Sequence, residues 1–179
     1  MYKLTFRAGH MQTATWQFKD LVTKLNFNSV FKHDLVVHAC ADLLGTRIVT
    51  IENIDIFSFT EEPHYAEKAV IGKGETVEHA MEEALRAFHE GLSYDDMYPN
   101  RHSHPKGSIQ TSGNLDHWLI QHKGKMSVTK DEDGTIICTL AGLKEPNNPG
   151  AGHISANGTG ASLRLALRSA FNQLETHKI

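Results

Sequence analysis

Two short stretches of this 179-residue chain carry residue types suited to holding a phosphate. Gly72, Lys73, Gly74 and Thr76 form the first; Gly158, Thr159, Gly160, Ser162 and Arg164 form the second. A hydroxyl directly ahead of a helix caps it by accepting a bond from a first-turn N–H. Glycines before the cap permit positive φ and a close backbone approach. The remaining first-turn N–H groups, with the helix macrodipole, favour an anion. Lys73 and Arg164 would each add a positive charge. Glu75, Glu78, Glu82 and Glu83 crowd the first block, whereas the second meets no acid before Glu175, so an anion is expected at the second. The bland alternative is that the glycines only make a tight strand-to-helix turn. Under the ligand expectation Gly160→Asp removes binding and spares the fold.

Other chemistry is thinner. Twelve histidines divide equally between the halves, and His102 and His104 are the closest pair. Together with Arg101 and Lys106 they lie in a polar stretch that is expected to close over a bound phosphate. His33, His38 and Cys40 form a loose cluster, and His117 and His122 another. Zinc takes three or four nitrogen or sulfur ligands, and neither cluster has a recognised ligand spacing. No metal and no cofactor are expected. There is no Gly-x-Ser-x-Gly elbow. His153-Ile154-Ser155 resembles half of the signature of two-histidine phosphoesterases, with His102-Ser103-His104 as the one available other half. No residue is assigned a catalytic role, and the balance leans against an enzyme.

Apolar spacing defines the elements that must position these residues. Val77, Ala80, Met81, Ala84, Leu85 and Phe88 recur at three and four, predicting a helix from Thr76 to about Glu90 with Gly91 as its stop. Leu163, Leu167, Ala170, Phe171 and Leu174 predict a second, from Ser162 to about Glu175. Strands are expected over 35–40, 46–51, 55–59 and 65–71. A hairpin of 125–130 with 135–140 closes through Asp131-Glu132-Asp133-Gly134, and 153–157 leads into the second glycine block. Trp16, Leu21, Val22 and Leu25 suggest a helix over 13–25, while Leu115–His122 fits either a helix or a strand.

The chain reads as if written twice. The glycine blocks and their helices correspond at an offset of 86, and Gly45–Ile51 corresponds to Gly134–Leu140 at an offset of 89. The expected class is α+β, a tandem duplication of a small antiparallel sheet plus one helix, with pseudo-two-fold symmetry. The units would span 1–91 and 115–179, joined by a polar linker or functional loop over 92–114.

Strand, Gly-x-Gly-x-Ser or Thr, then a helix with alanines four apart resembles the carboxy-terminal half of a double-stranded-RNA-binding domain. The matching residues are Gly158, Gly160, Ser162, Ala166 and Ala170, or Gly72, Gly74, Thr76, Ala80 and Ala84. The family's paired lysines at the helix start fall on Val77-Glu78 and Leu163-Arg164, of which Arg164 alone is basic. The resemblance implies this topology, and RNA contact through the second unit only.

Composition narrows the classes further. The net charge is −3, made of −4 over residues 1–91 and +1 over 92–179, so neither half is a strongly basic phosphate-backbone binder. No apolar run approaches the ~20 residues of a membrane span. Two cysteines, Cys40 and Cys138, cannot build a disulfide framework and read as thiols in a reducing compartment, so a cytoplasmic location is expected. The leading expectation is a non-catalytic binder of a phosphorylated small molecule such as a nucleotide, in the manner of a sequestering or inhibitory accessory protein of a bacterial virus. A protein–protein interaction module is the second, and RNA binding the third. Unpaired sheet edges would suit a homodimer.

Overall fold

Alternation of inward and outward side chains places the strands, and residues recurring at three and four place the helices. The computed structural model describes residues 3–4, 13–14, 27, 30, 35–53, 70–100 and 107–176. In chain order the elements are β1 (Lys3–Leu4), β2 (Thr13–Ala14), β3 (Leu35–Ala41), β4 (Arg47–Asn53), β5 (Val70–Gly74), α1 (Val77–Glu90), α2 (Tyr94–Met97), α3 (Asn114–Gln121), β6 (Lys125–Lys130), β7 (Ile136–Leu143), β8 (His153–Gly160) and α4 (Leu163–Thr176). A single turn of 3₁₀ helix, Pro149–Ala151, precedes β8. The class is α+β.

The strands expected as two small sheets form one. β3 pairs antiparallel with β6, which joins the halves into a six-stranded antiparallel sheet of order β5-β4-β3-β6-β7-β8. Separate sheets would have left the apolar residues of β3 and β6 at open edges; here Val37 faces Val128 and Ala39 faces Met126. β1 and β2 pair with each other. The strand at Thr13–Ala14 replaces the start of the helix expected over 13–25, and the rest of that segment lies outside the described residues. So do the strand expected over 55–59 and most of that over 65–71. Residues 115–122 resolve as helix α3.

One face of the sheet carries the helices. Directly opposed residues share a face, so Val70, Ile51, Val37, Val128, Cys138 and Gly158 form one inward row. Val37, Val128 and Cys138 are fully buried in the core that α1, α3 and α4 cover. Val30, helical and fully buried, and Phe27 join the same core from the chain before β3. The outward phase carries Ile71, Thr50, His38, Ser127, Thr139 and Asn157 in one row. Among the described residues no helix is long and apolar enough to cross a membrane.

Side chains close the outer strands of this sheet. The backbone N–H of Lys73 on β5 donates to the Tyr98 hydroxyl at 2.7 Å, and that of Asn157 on β8 donates to the Gln173 side chain at 2.6 Å. These N–H groups are therefore not open to strand pairing with another chain.

Candidate functional site

The glycine blocks end the two outer strands. Gly72, Lys73 and Gly74 belong to β5, and Gly158, Thr159 and Gly160 to β8. Thr76 caps α1 by accepting from the N–H of His79 at 3.2 Å, and Ser162 accepts from the N–H of Leu165 at 3.3 Å. The expectation of positive φ does not hold: none of Gly72, Gly74, Gly158 and Gly160 has it. What these positions need is close approach. A Cβ on Gly72 would overlap the backbone of Ala80 and Ala84, and one on Gly158 the backbone of Ala166 and Ala170. A Cβ on Gly74 would stand 2.8 Å from the Ala80 nitrogen, and on Gly160 2.8 Å from the Ala166 nitrogen. Small residues on both sides bring each helix down onto its strand. Gly160→Asp would thus displace α4, so it cannot remove a ligand and spare the fold.

Charges at the blocks are differently engaged. The Lys73 ammonium donates to the Tyr94 hydroxyl at 2.8 Å and lies 4.9 Å and 5.7 Å from the Tyr94 and Tyr98 ring centres. Burial is the largest influence on the Tyr98 hydroxyl and raises its pKa. Arg164 is half-buried, Thr159 is exposed, and the first turn of α4 carries no acid. Arg101, His102, His104 and Lys106 lie outside the described residues.

At the start of α1, the block where the acids disfavour an external anion, the chain supplies an anion of its own. The N–H of Val77, the first residue of α1, donates to the Asp116 carboxylate at 2.9 Å. Asp116 comes from α3 and is completely buried, as is its partner Arg47 on β4. Arg47 Nε donates to Asp116 Oδ1 at 2.9 Å and Nη2 to Oδ2 at 3.0 Å. Nη1 also donates to the carbonyls of Gly45, at 2.8 Å, and Ser108; Nη2 donates to the Gln110 carbonyl at 2.6 Å. The N–H of Ser112 completes Asp116 at 2.9 Å. A guanidinium has five N–H donors and a carboxylate about four acceptor sites, and here every one is used. Full satisfaction is the condition under which a buried ion pair is tolerated.

This network underlies two segments that carry exposed apolar side chains. The turn between β3 and β4 is closed by Asp42, whose Oδ1 accepts the N–H groups of Leu44 and Thr46, both at 2.9 Å. Gly45 completes it with φ of 82°. Leu43 and Leu44 occupy the tip, 98% and 82% exposed. The N–H of Ser108 donates to the Gly45 carbonyl at 3.3 Å, and Gly107 lies against the backbone of Leu44, Gly45 and Thr46. Ile109, the next residue, is 83% exposed.

The turn between β6 and β7 has the same construction. Asp131 Oδ1 accepts the N–H groups of Asp133 and Thr135, at 3.0 Å and 2.9 Å, and Gly134 has φ of 81°. Its tip is Glu132 and Asp133, the ordinary choice for a turn in water. Neither the leucines nor the ion pair belongs to a motif with a chemical signature in the sequence. Aligning Asp-Leu-Leu-Gly-Thr with Asp-Glu-Asp-Gly-Thr would have exposed the leucines, and Arg47 opposite Ile136 the charged position.

Histidines and thiols do not assemble. Among the described residues no group of three histidine, cysteine or acidic side chains could hold a metal ion. His38 and Cys40 share the outward face of β3, where His38 Nε2 lies 3.4 Å from a Glu52 oxygen. His122 stacks on Trp118, and its Nδ1 lies 2.8 Å from the Leu143 carbonyl. His153 is exposed on β8. Burial pushes the Cys138 thiol up to about 12 and raises that of Cys40 as well. No protein-family model, curated protein or solved structure matches the chain.

Proposed function

We propose that the protein is a non-catalytic interaction module that docks into an apolar cleft of a partner protein through Leu43, Leu44 and Ile109. One observation carries this reading. Two turns of one geometry hold Leu43-Leu44 in one place and Glu132-Asp133 in the other. The turn itself needs nothing apolar at its tip, yet Leu43 is 98% exposed. Apolar surface left in water forgoes roughly 25 cal/mol per Å², which burial in a partner recovers. A projecting tip calls for a concave counterpart. Docking without catalysis also fits an inhibitory or sequestering accessory protein.

A tandem duplication underlies the comparison of the turns. The offset of 89 that relates them exchanges the pairs Val37–Val128 and Ala39–Met126 of β3 and β6, and returns His38–Ser127 to itself. This register supports a pseudo-two-fold axis beside His38 and Ser127. The matching contacts of Gly72 and Gly158 with their helices support it independently.

Leu43→Glu/Leu44→Asp writes the second tip into the first. The variant is expected to keep its thermal midpoint within a few degrees and to lose a partner that the wild-type protein retains in affinity capture. Identical partners for both proteins would overturn the docking reading. A wild-type dimer beside a variant monomer in sedimentation would make the occupant a second copy, and flotation of the wild type with neutral vesicles would make it lipid.

A phosphorylated small ligand at the second glycine block is the alternative reading. Ser162, Arg164 and the acid-free first turn of α4 favour it. Against it, Ile136 pairs with Gly160, so Glu132 and Asp133 stand at the same end of the sheet as the start of α4. Those acids oppose RNA there equally. The mark of such a ligand would be a small added mass that stays with the native protein and leaves on denaturation.

A further inference from the structure

We infer that Arg47 is a positioning residue for the docking surface, clamping the segment that carries Ile109 against the Leu43–Leu44 turn; the inference rests on the docking reading for its purpose. Both carbonyls flanking Ile109, those of Ser108 and Gln110, accept bonds from the Arg47 guanidinium. The carbonyl of Gly45, beside Leu44, accepts from the same Nη1 that holds Ser108. One side chain thus fixes the backbone on either side of Ile109 and at the base of the leucine tip. With its backbone held from the inside, Ile109 turns its side chain out to 83% exposure.

The fold does not need a charge here. At the same offset of 89, Arg47 corresponds to Ile136 and Asp116 to Phe27, which are 5% and 3% exposed. The other half therefore fills the two positions with apolar side chains. Desolvating a guanidinium and a carboxylate is costly, and an apolar pair of similar volume is often as stable. What the ionic pair adds is direction: five donors aimed at carbonyls of two separate segments, and acceptors for the N–H groups of Ser112 and Val77. An interface fixed before contact loses less conformational freedom on binding. The pair supplies that order to a stretch without regular secondary structure.

Amide hydrogen exchange tests the clamp directly, since local opening is reported residue by residue. Two variants are compared with the wild type. Arg47→Lys keeps a cation opposite Asp116 but loses the fork that reaches three carbonyls. Arg47→Met/Asp116→Asn removes both charges and leaves an acceptor for Val77. In each, the amides of Ser108 and Ser112, which donate to the Gly45 carbonyl and to Asp116 within the clamp, should exchange at least roughly tenfold faster while those of β7 keep their wild-type protection. Unchanged exchange over 107–112 in both folded variants would overturn the inference, as would a uniform rise across the whole sheet. Leu43→Glu/Leu44→Asp should show wild-type exchange over 107–112. The clamp and the docking reading can therefore fail separately: the first by exchange, the second by partner capture.

Discussion

Cys138 and Arg47 are both fully excluded from solvent on the inward side of the sheet, under opposite rules. Every donor of the guanidinium is paired; the thiol is held protonated because nothing near it offsets burial. With its pKa pushed up to about 12 in the folded chain, against an ordinary 9.0, Cys138 binds its proton more tightly folded than unfolded. Its contribution to stability is thus complete below pH 9.0 and declines as pH rises towards 12. The loss reaches at most about 1.4 kcal/mol per pH unit from this group. Urea unfolding from about pH 8 to about pH 10.5 should show a shallower alkaline decline for Cys138→Ala than for the wild type, even though the cavity lowers its stability at neutral pH. Equal slopes would mean the thiol titrates normally. Arg47 was the harder residue to read. It stands in the inward phase of β4 with Val49 and Ile51, but its partner lies 69 residues away on a helix whose sequence gives no sign of the meeting.

At the scale of elements, glycine and alanine set the distance between helix and strand. Gly158→Ala and Gly72→Ala would each push a methyl into the backbone of the covering helix. Each should cost about 1–3 kcal/mol or more, because a backbone cannot swing aside as a side chain can. Chemical denaturation measures the loss, and a wild-type midpoint for either variant would argue that the helix rides higher than described. Periodicity made α1 and α4 legible, down to the caps Thr76 and Ser162 and the stop at Gly91. The helix α3 was ambiguous, since eight residues with Leu115, Trp118 and Leu119 inward fit two periods almost equally. The pairing of β3 with β6 was not legible at all. Strand partners are chosen by edges and register, and no local pattern near Val37 points to Val128. The glycine blocks show the same limit from the other side. Residue types suited to an anion were recognised, but at α1 the anion is Asp116, brought by an element far along the chain.

For the molecule as a whole, one sheet and one core make the halves interdependent. Without β6 the strand β3 becomes an open edge, and without α3 both Arg47 and the first N–H of α1 lose their carboxylate. A fragment of residues 1–100 is therefore expected to show no cooperative thermal transition by circular dichroism, where the full chain shows one. A sharp transition in the fragment would make the first half an independent domain. Of the two turns, one alone carries apolar residues at its tip. The two turns share one construction and differ at the tip, so the sheet presents an apolar turn at one end and an acidic turn at the other, and a partner that accepts Leu43 and Leu44 would meet repulsion or desolvation at Glu132 and Asp133.

The position of Asp116 has a consequence in time. Arg47 is made 69 residues before the carboxylate it needs, and a ribosome adding roughly 5–20 residues per second takes several seconds to cover that distance. During this interval the guanidinium has no carboxylate, and burying it unpaired would be costly. The exposed leucine pair travels on the same hairpin. The link through Arg47 between that hairpin and the backbone of Ser108 and Gln110 gains its carboxylate only once α3 has emerged.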